Sequence, residues 1–164
     1  MADSLGFNTI LVQAVSSKSK GTITLVDRDA RTPPVVDPNY LDSETDLETL
    51  RKGIKIGLEI GKKIIEKAKA MEPVLVPKDS QDVDEFIRKY VTGAYHLSST
   101  CRMARREDGG VVDQSLRVYG VNGLRVADAS IFPRLVGVKP QATVVMVGEK
   151  CAEIIQAEMK STSC

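Results

Sequence analysis

The chain has 164 residues, 42% of them hydrophobic and 27% charged, which is typical of one globular domain with a modest core. Lys and Arg number 23 against 22 Asp and Glu, and the net charge of +1 gives no reason to expect nucleic acid as a partner. No apolar run reaches the roughly 18 residues of a membrane-spanning helix, so we expect no membrane partner. The N-terminus does not show the pattern of a signal peptide, which carries little weight if the natural chain begins upstream.

The cysteine and histidine contents limit the kinds of site that the chain can form. Cys101, Cys151 and Cys164 form an odd set without metal-like spacing, so we expect neither a disulfide framework nor a metal site. This pattern favours a reduced compartment such as the cytoplasm. His96 is the only histidine in the sequence.

The first 40 residues predict extended structure. Residues 7–12 are rich in β-branched and apolar side chains, and residues 22–26 alternate polar with apolar. A polar connection at residues 16–21 predicts a hairpin between these two strands. The proline-rich residues 32–39 predict an irregular extended stretch.

Two helices are predicted next. The first extends from about Asp46 to about Met71, and Ser43 with Asp46 resembles a capping box. Its glycines, which share one face, favour close packing against another element rather than a dimer motif: Gly53, Gly57 and Gly61. The second helix is predicted over residues 80–92, with an apolar stripe formed by Val83, Phe86, Ile87 and Tyr90.

The last third predicts two short strands and a long helix. The strands are Leu116–Val118 and Leu124–Ala127, separated by a turn over residues 119–123. The helix is predicted over Gln141–Met159, and because residues 144–147 are apolar nearly all round, we expect them to be buried.

Chemistry that can be read from single residues is limited. His96 is the natural candidate for a general acid or base, because histidine exchanges a proton near neutral pH. The start of the last helix at Gln141 offers free N–H groups to an anion or an electron-rich ring edge. No G-x-G-x-x-G occurs, so the chain carries no dinucleotide fingerprint of its own.

Several motifs together resemble one family over nearly the whole chain. They include the run His96–Met103, the pair Val112-Asp113, and a stretch from Leu116 through Asp128-Ala129-Ser130 to Pro133. Upstream they include Ser19-Lys20-Gly21-Thr22 and Asp37-Pro38-Asn39-Tyr40-Leu41, and downstream Pro140-Gln141-Ala142-Thr143. This arrangement resembles the C-terminal part of the glucose–methanol–choline oxidoreductases, and its tail is similar to the fungal members.

The resemblance implies roles for particular residues. His96 corresponds to the catalytic histidine that takes the hydroxyl proton while a flavin accepts hydride from an alcohol. The resemblance further implies FAD as the cofactor, a small alcohol as the substrate, and contact with the flavin by Asp128, Ala129, Pro140, Gln141 and Ala142.

Two departures from the family pattern stand out. The second catalytic position, usually histidine or asparagine, falls on Lys139, whose ammonium offers hydrogen-bond donors only unless burial removes its proton. Lys139 is consistent with electrostatic stabilisation of an alkoxide or reduced flavin, and equally with lost alcohol oxidation. The G-x-G-x-x-G half that holds the FAD pyrophosphate is also missing from these residues.

The sequence therefore predicts an α/β fold with an antiparallel sheet backed by helices. We expect residues 1–115 to form a substrate-binding domain and residues 116–164 a strand, loop and helix returning to an otherwise absent FAD-binding domain. The predicted function is FAD-dependent alcohol oxidation, as an oxidase or dehydrogenase. Alternatives are a non-redox relative (a lyase or cyclase) and a non-catalytic fragment that needs a separate flavin-binding chain.

Overall fold

The computed structural model describes residues 9–68 and 82–162, which divide into two compact units between Thr92 and Gly93. The first unit contains the strands β1 (Thr22–Thr24) and β2 (Val35–Asp37) and the helices α1 (Glu44–Ala68) and α2 (Asp82–Tyr90). The second contains two short 3₁₀ helices, Arg106–Asp108 and Ala129–Ile131, and the helix α3 (Gln141–Thr162). Helices and a small antiparallel sheet confirm the predicted fold class.

The hairpin of the first unit differs from the prediction. β1 pairs antiparallel with β2, with Thr22 opposite Asp37 and Thr24 opposite Val35. The predicted partner, residues 7–12, is wrong, because the described part of that segment, residues 9–12, is not a strand. Prolines flank β2 on both sides, and its three residues form an exposed edge that tolerates them.

Residues 10–12 instead pack on the glycine face of α1. A Cβ at Gly53 would overlap Cγ1 of Val12, whereas one at Gly57 would contact Cγ2 of Ile10 at 3.4 Å. The glycines therefore admit an extended segment at close range, and the prediction of close packing is confirmed.

The start of α1 is held by a buried carboxylate rather than by the predicted capping box. Asp46 is 5% exposed and accepts hydrogen bonds from the hydroxyls of Ser17 and Ser19, both at 2.6 Å. It also accepts from the backbone N–H groups of Lys18 and Ser19, each at 2.8 Å. The N–H of Ser43, which a capping box would bond to Asp46, donates to the Ser19 hydroxyl instead at 3.0 Å.

These contacts decide the ionisation of Asp46. Burial on its own raises the pKa of the carboxyl, but the four donors stabilise the charged form more, and the pKa falls to about 2. The anionic side chain therefore ties the start of α1 to residues 17–19.

α1 and α2 are joined by an ion pair. The guanidinium of Arg51 binds both carboxylate oxygens of Asp84, through Nε and Nη2, at 2.6 Å each. Leu47 and Ile87 are the buried apolar side chains of these helices among the described residues. The rings of Phe86 and Tyr90 are in contact at a centroid distance of 4.8 Å.

The second unit is built mostly from turns around one apolar cluster. The predicted strands at 116–118 and 124–127 pair in antiparallel fashion through two backbone hydrogen bonds, Val118 N–H to Leu124 O and Val126 N–H to Leu116 O. They form isolated bridges rather than continuous strands. Gly120 and Gly123 have φ of 78° and 73° in the turn between them, a region that favours glycine. The cluster consists of Val112, Leu116, Ile131, Phe132, Val147 and Cys151.

The start of α3 is less buried than predicted. Val147 is buried and Val144 packs against the cluster, but Val145 and Met146 are 59% and 56% exposed. The expectation that residues 144–147 are all buried is wrong, because the cluster covers only one face of the helix.

Candidate functional site

His96 lies on a loop whose backbone is strained on both sides. Tyr95 and Ser99 have φ of 61° and 73°, values that side chains other than glycine rarely adopt. His96 itself is half-buried, whereas its neighbours Tyr95 and Leu97 are 95% and 79% exposed. The half-buried His96 thus lies in the sequence between an exposed tyrosine and an exposed leucine.

Three backbone hydrogen bonds tie this loop to the 3₁₀ helix that follows Asp128. The N–H groups of Ser99, Cys101 and Met103 donate to the carbonyls of Ala129, Ser130 and Ile131 at 3.2, 2.9 and 2.8 Å respectively. Alternate residues of the His96 loop therefore pair with consecutive residues of the 3₁₀ helix. This backbone ladder fixes the His96 loop relative to Ala129.

Asp128 caps the 3₁₀ helix and is exposed. Its carboxylate accepts a 2.7 Å hydrogen bond from the Ser130 N–H. The side chain and the backbone N–H of Ser130 lower the pKa of Asp128, because both stabilise the charged form. Ala129 packs against the apolar cluster and so anchors this turn to the core.

The N-terminus of α3 begins directly after Pro140. The Pro140 carbonyl accepts the first helical hydrogen bond, from the Val144 N–H at 2.9 Å. The N–H groups of Gln141, Ala142 and Thr143 consequently have no partner within the helix, and a proline side chain has no oxygen to cap them. The helix dipole adds a partial positive charge at the same point.

Lys139 stands at this N-terminus and is exposed. With Gln141, Ala142 and Val145 it lines an open depression of about 540 Å³. Within residues 9–68 and 82–162 the Lys139 ammonium makes no ion pair or hydrogen bond. Three other cations of this unit are paired: Arg117 and Arg125 bind Glu158 at 2.6 Å, and Lys150 binds Glu153 at 2.9 Å.

The structure groups the sequence-predicted site residues in two places. The ladder connects the His96 loop to the turn of Asp128 and Ala129, and one depression brings together Lys139, Gln141 and Ala142. Ala129 and Val144 pack on the same apolar cluster, so the turn of Asp128 and the start of α3 are both attached to one core. His96 does not line the depression, and its role and that of Lys139 stay predictions.

The sequence missed one part of this arrangement. The pairing of residues 99–103 with 129–131 uses backbone atoms only and leaves no pattern of side chains to recognise. The positive φ at Tyr95 and Ser99 is equally hidden, because neither residue is a glycine or asparagine.

Comparison with known proteins identifies the family to which this site belongs. A model of the C-terminal region of the GMC oxidoreductases matches residues 17–148, which is most of the chain. The chain belongs to the GMC oxidoreductase family. The match includes His96, Asp128, Lys139 and the start of α3.

Curated relatives and solved structures agree with this assignment. The chain is 37% identical over 149 residues to mitochondrial choline dehydrogenase of Mus musculus, covering 88% of this chain and 25% of the relative. It is 38% identical over 147 residues to choline oxidase of Arthrobacter globiformis, covering 86% and 27%. It therefore spans about a quarter of the length of these relatives.

The fold comparison gives similar coverage. A formate oxidase variant of Aspergillus oryzae, studied for its FAD modification, superimposes with a TM-score of 0.79 and 33% identity, over 87% of this chain and 25% of that one. Pyridoxine 4-oxidase of Mesorbium loti gives a TM-score of 0.76 and 28% identity, over 85% and 28%. Members of the GMC family bind FAD, and both of these neighbours are named as oxidases, the formate oxidase with a modified FAD.

Two further observations concern other kinds of site. In the described part of the chain, no helix is long and apolar enough to cross a bilayer. No group of three or more potential metal ligands occurs among residues 9–68 and 82–162.

Proposed function

We propose that this chain supplies the proton-transfer and substrate side of an FAD-dependent alcohol oxidase or dehydrogenase. The observation that carries the proposal is the backbone ladder between residues 99–103 and 129–131, in a chain of the GMC family. It fixes the only histidine of the sequence relative to the turn that the family resemblance assigns to the flavin. The domain roles follow, with residues 1–115 on the substrate side and residues 116–164 returning to a flavin domain.

The residues at the start of α3 fit a flavin. The N–H groups of Gln141 and Ala142 are donors without helical partners, and a partial positive charge accompanies them. Such donors suit the oxygen and nitrogen atoms at the edge of a flavin ring. In this proposal Asp128, Ala129, Pro140, Gln141 and Ala142 hold the FAD, and the pyrophosphate-binding half comes from an upstream part of the polypeptide or from a separate chain.

His96 acts on the substrate hydroxyl. FAD, when bound, supplies the hydride acceptor. The imidazole of His96 accepts the hydroxyl proton, which lowers the barrier because hydride leaves more readily from a carbon whose oxygen has alkoxide character. General-base catalysis of this kind is worth about 10²- to 10⁴-fold in rate.

A spectroscopic experiment tests the proposal. The purified chain is incubated with FAD, alone and with a flavin-binding partner, and visible absorbance is followed on addition of primary alcohols. We expect flavin bound with the partner to bleach, and His96→Asn to slow bleaching by about 10²- to 10⁴-fold with unchanged flavin affinity.

The matched control is Asn122→Ala, which changes an exposed residue of the turn between Gly120 and Gly123. We expect this variant to leave both flavin binding and bleaching unchanged. Bleaching at the wild-type rate in His96→Asn would overturn the role of His96.

Lys139 favours a second candidate, a non-redox relative in which the histidine performs acid–base work as in a lyase or cyclase. A cation at this position departs from the histidine or asparagine of the family pattern, which is consistent with lost alcohol oxidation. Bound flavin that no alcohol bleaches, together with a product that depends on His96, would select this candidate.

A further inference from the structure

We propose that Lys139 raises the reduction potential of bound FAD, because its ammonium stabilises the negative charge that the flavin ring gains on reduction. This inference rests on the proposed function for the place of the flavin at the start of α3. It goes beyond that proposal because it gives a role to the one side chain that departs from the family's catalytic pattern, and this role is independent of the substrate.

Lys139 shares its depression with residues that the proposed function assigns to the flavin. The depression, of about 540 Å³, is lined by Lys139, Gln141, Ala142 and Val145. Gln141 and Ala142 have backbone N–H groups without a partner in the helix, and in the proposed function these donors bind the edge of the flavin ring. A ring edge held by them lies in the same depression as the Lys139 side chain, and the other lining residues are neutral.

The charge of Lys139 is not cancelled by an ion pair. Among residues 9–68 and 82–162, no carboxylate binds its ammonium, in contrast to Lys150, which binds Glu153 at 2.9 Å. The Lys139 side chain is also exposed, so no neighbouring side chain of the described residues covers it. The ammonium therefore offers the depression an uncompensated positive charge.

The carboxylate of Asp128 has the opposite sign, and the proposed function assigns it to the flavin as well. Hydrogen bonds from the side chain and the N–H of Ser130 lower the pKa of Asp128, so it is anionic at neutral pH. Asp128 neither lines the depression nor forms an ion pair with Lys139. Its field at the flavin opposes that of Lys139 but is present equally in wild type and in a Lys139 variant. The difference between their potentials therefore measures the contribution of Lys139 alone.

Reduction changes the charge of the flavin, which is why a nearby cation affects the potential. A hydride carries two electrons and one proton, so its acceptance gives the neutral oxidised ring one negative charge. A fixed cation stabilises that anion more than the neutral ring, and the partial positive charge at the start of α3 acts in the same direction. Unit charges several ångströms apart near a protein surface change an equilibrium by about tenfold or more. For a two-electron couple, tenfold corresponds to about 30 mV.

The flavin reduction potential tests the inference without turnover of a substrate. It is measured at pH 7 on the FAD-loaded protein, assembled with its flavin-binding partner, by spectroscopic titration against a reference dye of known potential.

We expect Lys139→Met to lower the potential by about 30 mV. Lys139→Gln should lower it by a similar amount, because both variants remove the charge while their side chains differ in polarity. Lys139→Arg should keep the wild-type potential, because it keeps the charge. A potential that follows the charge of residue 139 in this way separates an electrostatic role from a change in packing.

The matched control is Lys160→Met, which removes an exposed lysine from the last turn of α3 and should leave the potential unchanged. The wild-type potential in both neutral variants, or a potential of Lys139→Arg as low as theirs, would overturn the inference. Failure of the assembled protein to bind FAD would overturn this inference and the proposed function together. Bound flavin that shows the expected shift but is bleached by no alcohol would count against the proposed alcohol oxidation alone.

Discussion

Replacing Asp46 by asparagine tests the anchor at the start of α1. The change removes the charge that accepts hydrogen bonds from two serine hydroxyls and two backbone N–H groups, and it turns an amide NH₂ toward donors. A pKa of about 2 against the ordinary 3.8 corresponds to roughly 2 kcal/mol of stabilisation of the folded state. We expect Asp46→Asn to lower the free energy of unfolding by about 2 to 3 kcal/mol at pH 7.

The loss of stability in Asp46→Asn should depend on pH. The pKa of Asp46 is lower in the folded than in the unfolded chain, so its contribution is complete above the unfolded value of about 3.9 and is lost as the pH falls through about 2. The difference between wild type and Asp46→Asn should therefore shrink between about pH 4 and pH 2.

Urea unfolding of the full chain, followed by circular dichroism at pH 7, 4 and 2.5, measures this difference. Asp42→Asn is the matched control, since it removes an exposed carboxylate four residues away and should change stability by less than about 0.5 kcal/mol. An equal loss in both variants, or a loss for Asp46→Asn that is the same at every pH, would refute the reasoning.

Four further substitutions examine other contacts. Gly61→Ala should stabilise the chain by up to about 1 kcal/mol, because alanine favours helix and its Cβ would contact Ile10 Cδ1 at an ordinary 3.7 Å. Gly53→Ala should lose this gain, because its Cβ would overlap the Val12 side chain. Thermal unfolding of both variants compares their stabilities. Glu158→Gln should lower the melting temperature at pH 7, because it removes the carboxylate that binds Arg125. The loss should shrink in 1 M salt and as the pH falls through the pKa of Glu158, which hydrogen bonding by Arg125 lowers. An unchanged melting temperature at pH 7 would contradict this prediction. Tyr119→Phe should cost about 1 kcal/mol in urea unfolding, because the tyrosine hydroxyl donates to the Ala104 carbonyl at 3.2 Å, and no loss would show that water replaces this bond.

The helices could be predicted because their signals are periodic and local. Apolar residues recur at helical spacing in α1 and α2, and the glycine face of α1 indicated close packing without saying which segment supplies it. The strand pairing could not be predicted in the same way. Val35 and Val36 lie between prolines that suggest irregular structure, and only the partner strand makes them an edge of a sheet.

The candidate site shows the same division between local and long-range information. His96, Asp128 and Gln141 could be selected from motifs that are contiguous in the sequence. The backbone pairing of residues 99–103 with 129–131 could not, because it leaves no side-chain pattern. Outside the site, the role of Asp46 at the start of α1 could not be predicted either, because its donors lie 27 to 29 residues earlier in the chain and Ser43 offered a nearer partner. Burial of Val145 and Met146 was predicted wrongly, because an apolar composition does not say how many faces of a helix are covered.

The ladder between residues 99–103 and 129–131 brings together the two ends of the segment formed by residues 104–128. The chain leaves the ladder after Met103 and returns at Ala129, and the tip of this segment, residues 121–123, is exposed. Exposed tips of this kind accept inserted residues with little effect on the elements at their base. A reporter peptide spliced between Val121 and Asn122 should therefore leave the His96 loop in register, which makes this turn a practical site for labelling the protein.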